Sequence, residues 1–264
     1  MKKNIPIVLS IAGSDSSGGA GIQADIKTLN TMNVFAATAV TCVTAQNTQE
    51  VSSITKIPPS LVEAQILSVK KDFKISAIKL GMLYDKEIMA IVVKSLKSLS
   101  KVPIIVDPVM VSKSGDKLLK SNAIEFFKNE IIPIAYILTP NLDEALKLTG
   151  MREINSKEDI KKCCVKLRNL GAKNILLKGG HIQNPKKSID YLLYNKRIYR
   201  FESKRYETKN THGTGCTLSA AISGNIAKGI KTIKAIKESK KFVSKAIKNS
   251  LDIGNGNGPL NHFP

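Results

Sequence analysis

Residues 209–217 read Lys-Asn-Thr-His-Gly-Thr-Gly-Cys-Thr and place two glycines among small hydroxyl side chains. An apolar pattern with helical spacing follows, at Leu218, Ala221, Ile222 and Ile226. The first turn of a helix leaves backbone N–H groups without carbonyl partners, and the helix dipole adds positive potential there. The stretch therefore predicts a helix N-terminus that binds a phosphate or another anion. A thiol, Cys216, lies in that first turn.

Length and composition favour a globular protein. The chain has 264 residues, of which 42% are hydrophobic, and this is enough for one large α/β domain. We predict a single domain over residues 1–264. The sequence contains no stretch of about 18 or more apolar residues, so we expect no membrane span. The basic start, residues 1–4, is followed by a short apolar stretch without a small-residue cleavage site, so we expect a cytoplasmic protein without a signal peptide.

The net charge of +20 raises the possibility of nucleic-acid binding. The lysines, however, are spread along most of the chain, and arginines number only five against 36 lysines. Aromatic residues make up 5% of the chain. Readers of nucleic acid favour arginine for bidentate contacts and aromatic rings for stacking. We therefore expect no nucleic-acid partner, although a positive field would help to gather anionic nucleotides.

The four cysteines form neither a disulfide framework nor a zinc site. They are Cys42, Cys163, Cys164 and Cys216, and no Cys-x-x-Cys pair occurs. Reduced thiols in a cytosolic compartment fit this spacing best.

A second glycine-rich loop lies near the N-terminus. Residues 5–12 predict a buried strand, residues 13–21 the loop, and residues 22–32 a helix. The loop matches neither the dinucleotide-binding pattern G-x-G-x-x-G nor the Walker pattern, which needs a Lys-Ser/Thr pair. By itself it indicates only that a ligand can approach the backbone closely.

Polar side chains follow several of the later predicted strands. Asp107 follows the strand over residues 103–106, and a carboxylate there lies where open α/β sheets bind ligands. Asn141 and Glu144, three residues apart, share a helical face that could hold a hydrated magnesium ion or could form a capping box. Lys178 ends the strand over residues 174–178 and precedes two glycines; it is either a phosphate-binding lysine or one more solvated lysine.

Strands alternate with helices almost throughout the chain. Further strands are predicted over residues 34–45, 77–82 and 135–139, and a hairpin over residues 189–194 and 197–201. Helices are predicted over residues 58–72, 86–99, 141–148, 156–170, 215–228 and 231–251. This order favours an α/β fold with a mainly parallel sheet covered by helices on both faces.

Two motifs carry a resemblance to a known family. Thr-His-Gly-Thr-Gly-Cys-Thr-Leu-Ser-Ala-Ala (211–221) and Ala-Gly-Ser-Asp-Ser-Ser-Gly-Gly-Ala-Gly-Ile-Gln-Ala-Asp (12–25) resemble the hydroxymethylpyrimidine/phosphomethylpyrimidine kinases of thiamine biosynthesis. The resemblance runs from Ile11 to Phe263 with the motifs in order. It implies a ribokinase-like three-layer sandwich. Most members of that larger fold family carry aspartate where this chain has Cys216.

The resemblance implies a substrate pocket. Gln46, in Thr-Ala-Gln-Asn-Thr, would bind an aminopyrimidine, whose edge complements the donor and acceptor of a carboxamide. The residues alone favour an exposed turn amide at this position. Gly13, Asp25, Met82 and Val109 would complete the pocket, although Met82 fits a core methionine equally well from its spacing.

The resemblance also implies a nucleotide side. Lys178, Asn141 and Thr211 would bind ATP, Asp107 and Glu144 would hold Mg²⁺, and residues 111–116 resemble a mobile flap. Gly213 and Gly215 would stabilise the developing charge. Cys216 would accept the substrate hydroxyl proton, with a pKa lowered at the helix N-terminus; the alternative is a structural thiol beside that hydroxyl.

The implied activity is ATP-dependent phosphorylation of 4-amino-5-hydroxymethyl-2-methylpyrimidine to its monophosphate and then its diphosphate. The substrate is a small molecule, and the resemblance implies a homodimer. Three alternatives stay open at this point: a pyridoxal or pyridoxine kinase of the same fold, a basic nucleic-acid-binding protein, and a pyrimidine-binding protein without catalytic activity.

Overall fold

The computed structural model describes residues 5–110, 118, 123–179 and 186–264. The flap expected over residues 111–116 and the second of the two glycines after Lys178 lie outside these ranges. The strands are β1 (Ile7–Asp15), β2 (Phe35–Gln46), β3 (Val51–Lys56), β4 (Ile75–Leu80), β5 (Ile104–Val106), β6 (Ile137–Leu138), β7 (Asn174–Lys178), β8 (Lys187–Tyr194) and β9 (Arg197–Lys204).

The helices alternate with these strands through most of the chain. They are α1 (Gly21–Thr31), α2 (Pro59–Asp72), α3 (Lys86–Leu96), α4 (Ile124–Phe126), α5 (Leu142–Thr149), α6 (Lys157–Asn169), α7 (Thr214–Ala227) and α8 (Thr232–Lys248). A 3₁₀ turn, Lys97–Leu99, extends α3, and α4 continues as a π turn over Phe127–Ile131 and a 3₁₀ turn over Ile132–Ile134. Within the described residues, none of the helices has the length and apolar character needed to cross a bilayer.

The strands of the described residues form one sheet in the order β3-β2-β1-β4-β5-β6-β7-β8-β9. The six strands β1, β2, β4, β5, β6 and β7 run parallel. Three antiparallel strands complete the edges, β3 on one side and the β8–β9 hairpin on the other. The predicted, mainly parallel sheet is confirmed.

Alternating side chains of the central strands bury both faces of the sheet. In β5, Ile104 and Val106 pack in the large cluster formed with α2, α3, α5 and α6, whereas Ile105 packs in the cluster formed with α7 and α8. Successive side chains of a strand point to opposite faces, so these helices lie on opposite sides. Leu29 of α1 packs on Val8 and Ala77 in a third cluster. The expected three-layer arrangement is confirmed.

Two elements are absent from the sequence-based expectations. The edge strand β3 is largely exposed, and its sequence Val-Ser-Ser-Ile-Thr-Lys carries too few apolar residues to give a strong alternating signal. The helical segment over residues 124–134 contains Pro133, which argues against a helix in sequence patterns, yet Pro133 falls in the first turn of its 3₁₀ portion, where its missing N–H costs nothing.

Candidate active site

The parallel strands bring three predicted polar residues, and one that was not predicted, Asp15, to one edge of the sheet. Asp15 and Gln46 are the last residues of β1 and β2, Asp107 follows β5, and Lys178 ends β7. Strand β1 lies between β2 and β4, so the winding of the sheet reverses there. Open α/β sheets form a ligand-binding crevice at such a point, outside the carboxyl ends of the strands.

The N-terminus of α7 is fixed by contact with the loop that follows β1. Gly213 caps the helix at φ +80°, and a Cβ at this position would lie 1.9 Å from the carbonyl oxygen of Gly19, so another side chain would strain and displace the loop. The helical hydrogen bonds begin at Thr217, whose N–H donates to the Gly213 carbonyl. The N–H groups of Gly215 and Cys216 precede that bond and have no intrahelical acceptor. This turn is half-buried and suits an anion.

Asp107 and Lys178 lie beside the same turn. The Lys178 Nζ donates to Asp107 Oδ1 at 2.9 Å. A Cβ on Gly215 would lie 3.3 Å from that Nζ and 3.4 Å from Asp107 Oδ2. Thr139 Oγ1 also donates to Asp107 Oδ1, at 3.2 Å. A buried carboxylate and an ammonium group therefore flank the predicted anion site.

Asn141 and Glu144 form the capping box that the sequence left as an alternative. The Asn141 Oδ1 accepts from the Glu144 N–H, and Glu144 Oε2 accepts from the Asn141 N–H, each at 2.8 Å. The Lys178 N–H donates to the Pro140 carbonyl at 2.8 Å, which holds this helix start against the end of β7. The capping box uses Oε2 of Glu144 and not Oε1, so capping and ligand binding are compatible.

The pKa values of the two buried carboxyl groups, Asp107 and Glu144, shift in opposite directions. Burial alone would raise the pKa of Asp107, but Lys178 and then Lys79 lower it below the usual value. Burial raises the pKa of Glu144 to about 7; Lys178 opposes this and the Asp107 charge adds to it. Burial would likewise lower the pKa of Lys178, yet Asp107 and Glu144 raise it above the ordinary lysine value. Lys178 is therefore a cation shared by two buried acids.

Thr211 closes the turn before α7. Its carbonyl accepts from Thr214 Oγ1 at 2.7 Å and from the Thr214 N–H at 3.3 Å. Thr211 is thus close to the anion site, and its half-buried side chain is accessible to a ligand.

Cys216 lies in the first turn of α7 as predicted, but the expected direction of its pKa is wrong. Burial raises the pKa of the thiol to about 11. Lys79 and the N–H of Gly21 favour the thiolate, yet Asp25 and Asp107 oppose it. Desolvation and two nearby carboxylates therefore outweigh the helix N-terminus, and the thiol holds its proton near neutral pH.

Asp25, a predicted pocket residue, lies in a buried ion pair. Its side chain is 0% exposed and pairs with Lys79 at 2.9 Å, and Ser10 Oγ donates to it at 2.6 Å. Asp25 Oδ1 has no hydrogen-bond partner among the described residues. The contact of Asp25 with a substrate stays a prediction. Lys79 is not among the residues predicted from the sequence. Its signal is a lysine in the apolar strand β4, where a charge needs a buried partner.

The other predicted pocket residues lie together. Met82 and Val109 share an apolar cluster with Cys42 and Leu118. A Cβ on Gly13 would lie 2.8 Å from Cys42 Sγ and 3.2 Å from Met82 Sδ. Backbone of the first glycine loop thus packs directly on this cluster, which offers an apolar surface for a flat ring.

Gln46 lies next to the segment that leads into α7. Its Nε2 is 3.4 Å from His212 Nε2, and His212 Nε2 is 2.8 Å from Asp15 Oδ2. His212 precedes Cys216 by four residues, so the amide lies beside the segment that leads to the thiol. Neither His212 nor Asp15 is among the residues predicted from the sequence, although both lie within the two quoted motifs.

Comparison with known proteins identifies the family. A sequence model of phosphomethylpyrimidine kinase matches residues 15–261. The hydroxymethylpyrimidine/phosphomethylpyrimidine kinase of Aquifex aeolicus is 44% identical over 250 residues, which cover 95% of this chain and 97% of that protein. The thiamine biosynthesis bifunctional protein ThiED of Geobacter sulfurreducens is 41% identical over 97% of this chain, which spans only 52% of that longer protein.

Solved structures share the fold. The ADP complex of Bacillus subtilis pyridoxal kinase has a TM-score of 0.89 and 33% identity, over 98% of both chains. The phosphomethylpyrimidine kinase of Clostridium difficile has a TM-score of 0.81 and 38% identity, over 92% of this chain and 99% of that one. With a family model that matches most of its length and relatives above 40% identity, this chain belongs to the phosphomethylpyrimidine kinase family.

Proposed function

We propose that this protein transfers the γ-phosphoryl group of ATP to 4-amino-5-hydroxymethyl-2-methylpyrimidine, and then phosphorylates the monophosphate to the diphosphate. Family membership supports a phosphotransferase of thiamine biosynthesis. The observation that carries the proposal is the position of the α7 N-terminus. Lys178 and Asp107 lie beside Gly215 in the first turn of this helix, and the Gln46 amide lies next to His212, just before the helix.

The proposed mechanism relies on position and charge. Phosphoryl transfer passes through a loose transition state, so the protein mainly orients the groups and stabilises negative charge. The N–H groups of Gly215 and Cys216 would donate to the transferring phosphoryl oxygens, since they have no helical acceptor. Lys178 would hold the nucleotide phosphates, and Thr211 and Asn141 would lie along the nucleotide. Gln46 would orient the pyrimidine over Met82 and Val109.

Cys216 is the proposed acceptor of the substrate hydroxyl proton. Its pKa of about 11 means that the thiol is protonated in most molecules at neutral pH. The Lys79 ammonium and the Gly21 N–H stabilise the thiolate once it forms. The reactive form is therefore a minor but strongly basic thiolate, and the rate should depend on its population.

Magnesium fits the carboxylates on the nucleotide side. Asp107 and Glu144 are both buried. Burial and the Asp107 charge raise the pKa of Glu144 to about 7. The negative charges of the two carboxylates therefore oppose each other, and an additional cation would stabilise them. Magnesium prefers oxygen ligands and uses few protein carboxylates, with waters and phosphates completing its shell. When bound, it would neutralise charge on the phosphate oxygens; Asp107 and Glu144 would hold it.

Pyridoxal is the second candidate substrate. The supporting observation is the pyridoxal kinase of Bacillus subtilis, which superposes on 98% of this chain. Pyridoxal also carries a hydroxymethyl group on a six-membered aromatic ring. Its ring carries an aldehyde where the pyrimidine has the amino group, and a carbon bearing a phenolic oxygen where the pyrimidine has the adjacent ring nitrogen. The amide of Gln46 would therefore meet a different set of donors and acceptors.

Product analysis tests the proposal. Phosphorus NMR of the protein with ATP, magnesium and the pyrimidine alcohol should show the monophosphate first and the diphosphate later. A parallel reaction with pyridoxal compares kcat/KM for the two alcohols. If ATP is consumed with pyridoxal but not with the pyrimidine alcohol, the second candidate is favoured. If the alcohols bind but ATP is not consumed, the proposal that the protein is a kinase is refuted.

A homodimer, a cytoplasmic location and the lack of a nucleic-acid partner stay predictions. Sedimentation equilibrium tests the first. Salt-resistant binding to DNA or RNA would contradict the last.

A further inference from the structure

The C-terminal tail, residues 249–264, follows α8 and contains no helix or strand apart from an isolated bridge between Pro259 and His212. It is nevertheless held in place. Leu260 and His262 are buried, and the tail makes hydrogen bonds to several other elements. A chain end without secondary structure is ordered only where such contacts tie it down. The partners of the tail therefore indicate what its order achieves.

The first partner is the turn that joins β2 to β3, residues 47–50. The Gly256 N–H donates to Thr48 Oγ1 at 3.0 Å, and the Asn257 N–H donates to the Thr48 carbonyl at 2.8 Å. A Cβ on Gly256 would lie 2.1 Å from that carbonyl oxygen, and a Cβ on Gly254 would lie 2.5 Å from Thr48 Oγ1. The tail backbone therefore lies directly on the turn, at a distance that leaves no space for a side chain.

This turn is joined rigidly to the end of β2. Gln46, the last residue of β2, pairs with Val51, the first residue of β3. Within the turn, the Asn47 N–H donates to the Glu50 carbonyl at 3.1 Å, and Asn47 Oδ1 accepts from the Glu50 N–H at 3.0 Å. A displacement of the turn at Thr48 should therefore reach Gln46.

The second partner is the segment that leads into α7. Asn210 Oδ1 accepts from the Gly258 N–H at 3.2 Å, and the Gly258 carbonyl accepts from the His212 N–H at 3.1 Å. Further along the tail, His262 Nε2 lies 3.0 Å from the Oγ1 of Thr217 in the first turn of α7. The tail is thus anchored to the helix start that forms the predicted anion site.

The tail is separate from the nucleotide side of the site. Lys178 and Asp107 bond to each other at 2.9 Å. In the part of the chain that the structure describes, no hydrogen bond joins residues 249–264 to either side chain. A local change where the tail meets the turn should therefore leave the binding of ATP intact.

We propose that the C-terminal tail positions the end of β2 against the first turn of α7, with Thr48 as the positioning residue, so that the alcohol bound at one reaches the phosphoryl group bound at the other. Gly256 bonds to the turn and Gly258 bonds to the segment before α7. Two residues span at most about 7 Å, so the tail holds the two elements close together. A displacement of about 1 Å between reacting groups can lower a rate about 100-fold. This inference rests on the proposed function.

Gly256→Ala tests the positioning. Gly256 lies outside the left-handed region, so alanine fits its backbone and only the added methyl group acts. That methyl group and the Thr48 carbonyl must separate by about 1 Å or more to reach van der Waals contact. Ser16 also bonds to the Gln46 backbone, at 2.8 Å, so part of the alignment should survive. We expect kcat for the alcohol to fall about 10-fold to 100-fold, while the Kd for ATP, measured by calorimetry, stays within about twofold.

A second pair of variants acts on the same contact without a clash. Thr48→Val removes the oxygen that accepts from the Gly256 N–H and keeps the shape of the side chain. It should lower kcat about fivefold and leave the Kd for ATP unchanged. Thr48→Ser retains the hydroxyl and should keep kcat within about twofold of the wild type.

Gly229→Ala is the matched control. Gly229 lies between α7 and α8 at φ +76°, and a Cβ there would meet nothing within 4 Å. The backbone strain should lower the melting temperature while kcat stays near the wild-type value. This variant separates a loss of stability from a loss of alignment, and thermal unfolding verifies that every variant is folded at the assay temperature.

The results decide between alignment and a purely structural tail. A folded Gly256→Ala that retains kcat within about threefold, or that loses kcat and ATP affinity in the same proportion, would overturn the positioning role. If Gly256→Ala does not fold, the Thr48 pair decides, and equal kcat values for Thr48→Val and Thr48→Ser contradict the role. A wild-type protein that phosphorylates neither alcohol instead refutes the proposed function, and with it the substrate alignment assigned to the tail.

Discussion

Replacing Cys216 by alanine tests the proposed proton acceptor most directly. General-base catalysis contributes about 10² to 10⁴ in rate. The thiol has a pKa of about 11, so at pH 7.5 about 0.03% of the molecules carry a thiolate. A base so rarely populated should contribute at the low end of that range. We therefore expect Cys216→Ala to lower kcat about 100-fold.

The same pKa predicts the pH dependence of the wild-type rate. Between pH 7 and 9.5 the thiolate fraction rises about tenfold per pH unit, because the pKa of about 11 lies above the whole window. The rate of the chemical step, measured in single turnovers by rapid quench, should rise with the same slope. Cys216→Ala removes the titrating group and should give a flat profile. The KM for ATP should change little, because the nucleotide side is untouched.

Cys163→Ala is the matched control for this change. Cys163 is buried in α6, and burial raises the pKa of its thiol to about 11 as well, but it packs in the core on the opposite face of the sheet from α7. It should keep the wild-type kcat and the rising profile. Cys216 is not the proton acceptor if Cys216→Ala retains kcat within about threefold, or if the wild-type single-turnover rate is independent of pH over this window.

Three further predictions concern buried charges. Burial, and secondarily the Lys27 charge, lower the pKa of His262 to about 4, so the unfolded chain binds a proton between pH 6.5 and 4 that the folded protein does not. The contribution of His262 to the free energy of unfolding should be full above pH 6.5 and should fall by about 3 kcal/mol towards pH 4. Urea unfolding of His262→Gln should lack this part of the pH dependence. An unchanged dependence of the free energy of unfolding on pH would contradict the assignment to His262. Lys79→Met leaves the Asp25 carboxylate buried and unpaired, which should cost about 3–5 kcal/mol in urea unfolding; Lys79→Met with Asp25→Leu should recover most of it, and a cost below about 1 kcal/mol for the single variant would argue against a strong pair. Glu144→Gln keeps the acceptor of the capping box and removes the charge, so the melting temperature should stay near that of the wild type while half-maximal activity requires more magnesium; an unchanged magnesium requirement would argue against Glu144 as a ligand.

The order of strands and helices followed from local patterns. Strand β7 has the predicted bounds, and the capping boxes at Asn141 and Ser156 lie where the side chains indicated helix starts. Hydrophobic periodicity and capping act within a few residues, so they are legible in the sequence. The two glycine motifs also identified the family and, with it, the kind of reaction.

The charge state of the site depended on contacts that the sequence does not contain. Asp15 and His212 are 197 positions apart and Asp25 and Lys79 are 54 apart, yet each pair meets within 3 Å. The helix N-terminus argued for a lowered pKa at Cys216, whereas burial and the carboxylates of Asp25 and Asp107 raise it. A pKa is the sum of desolvation and of every nearby charge, and only the folded sheet edge determines which charges are near.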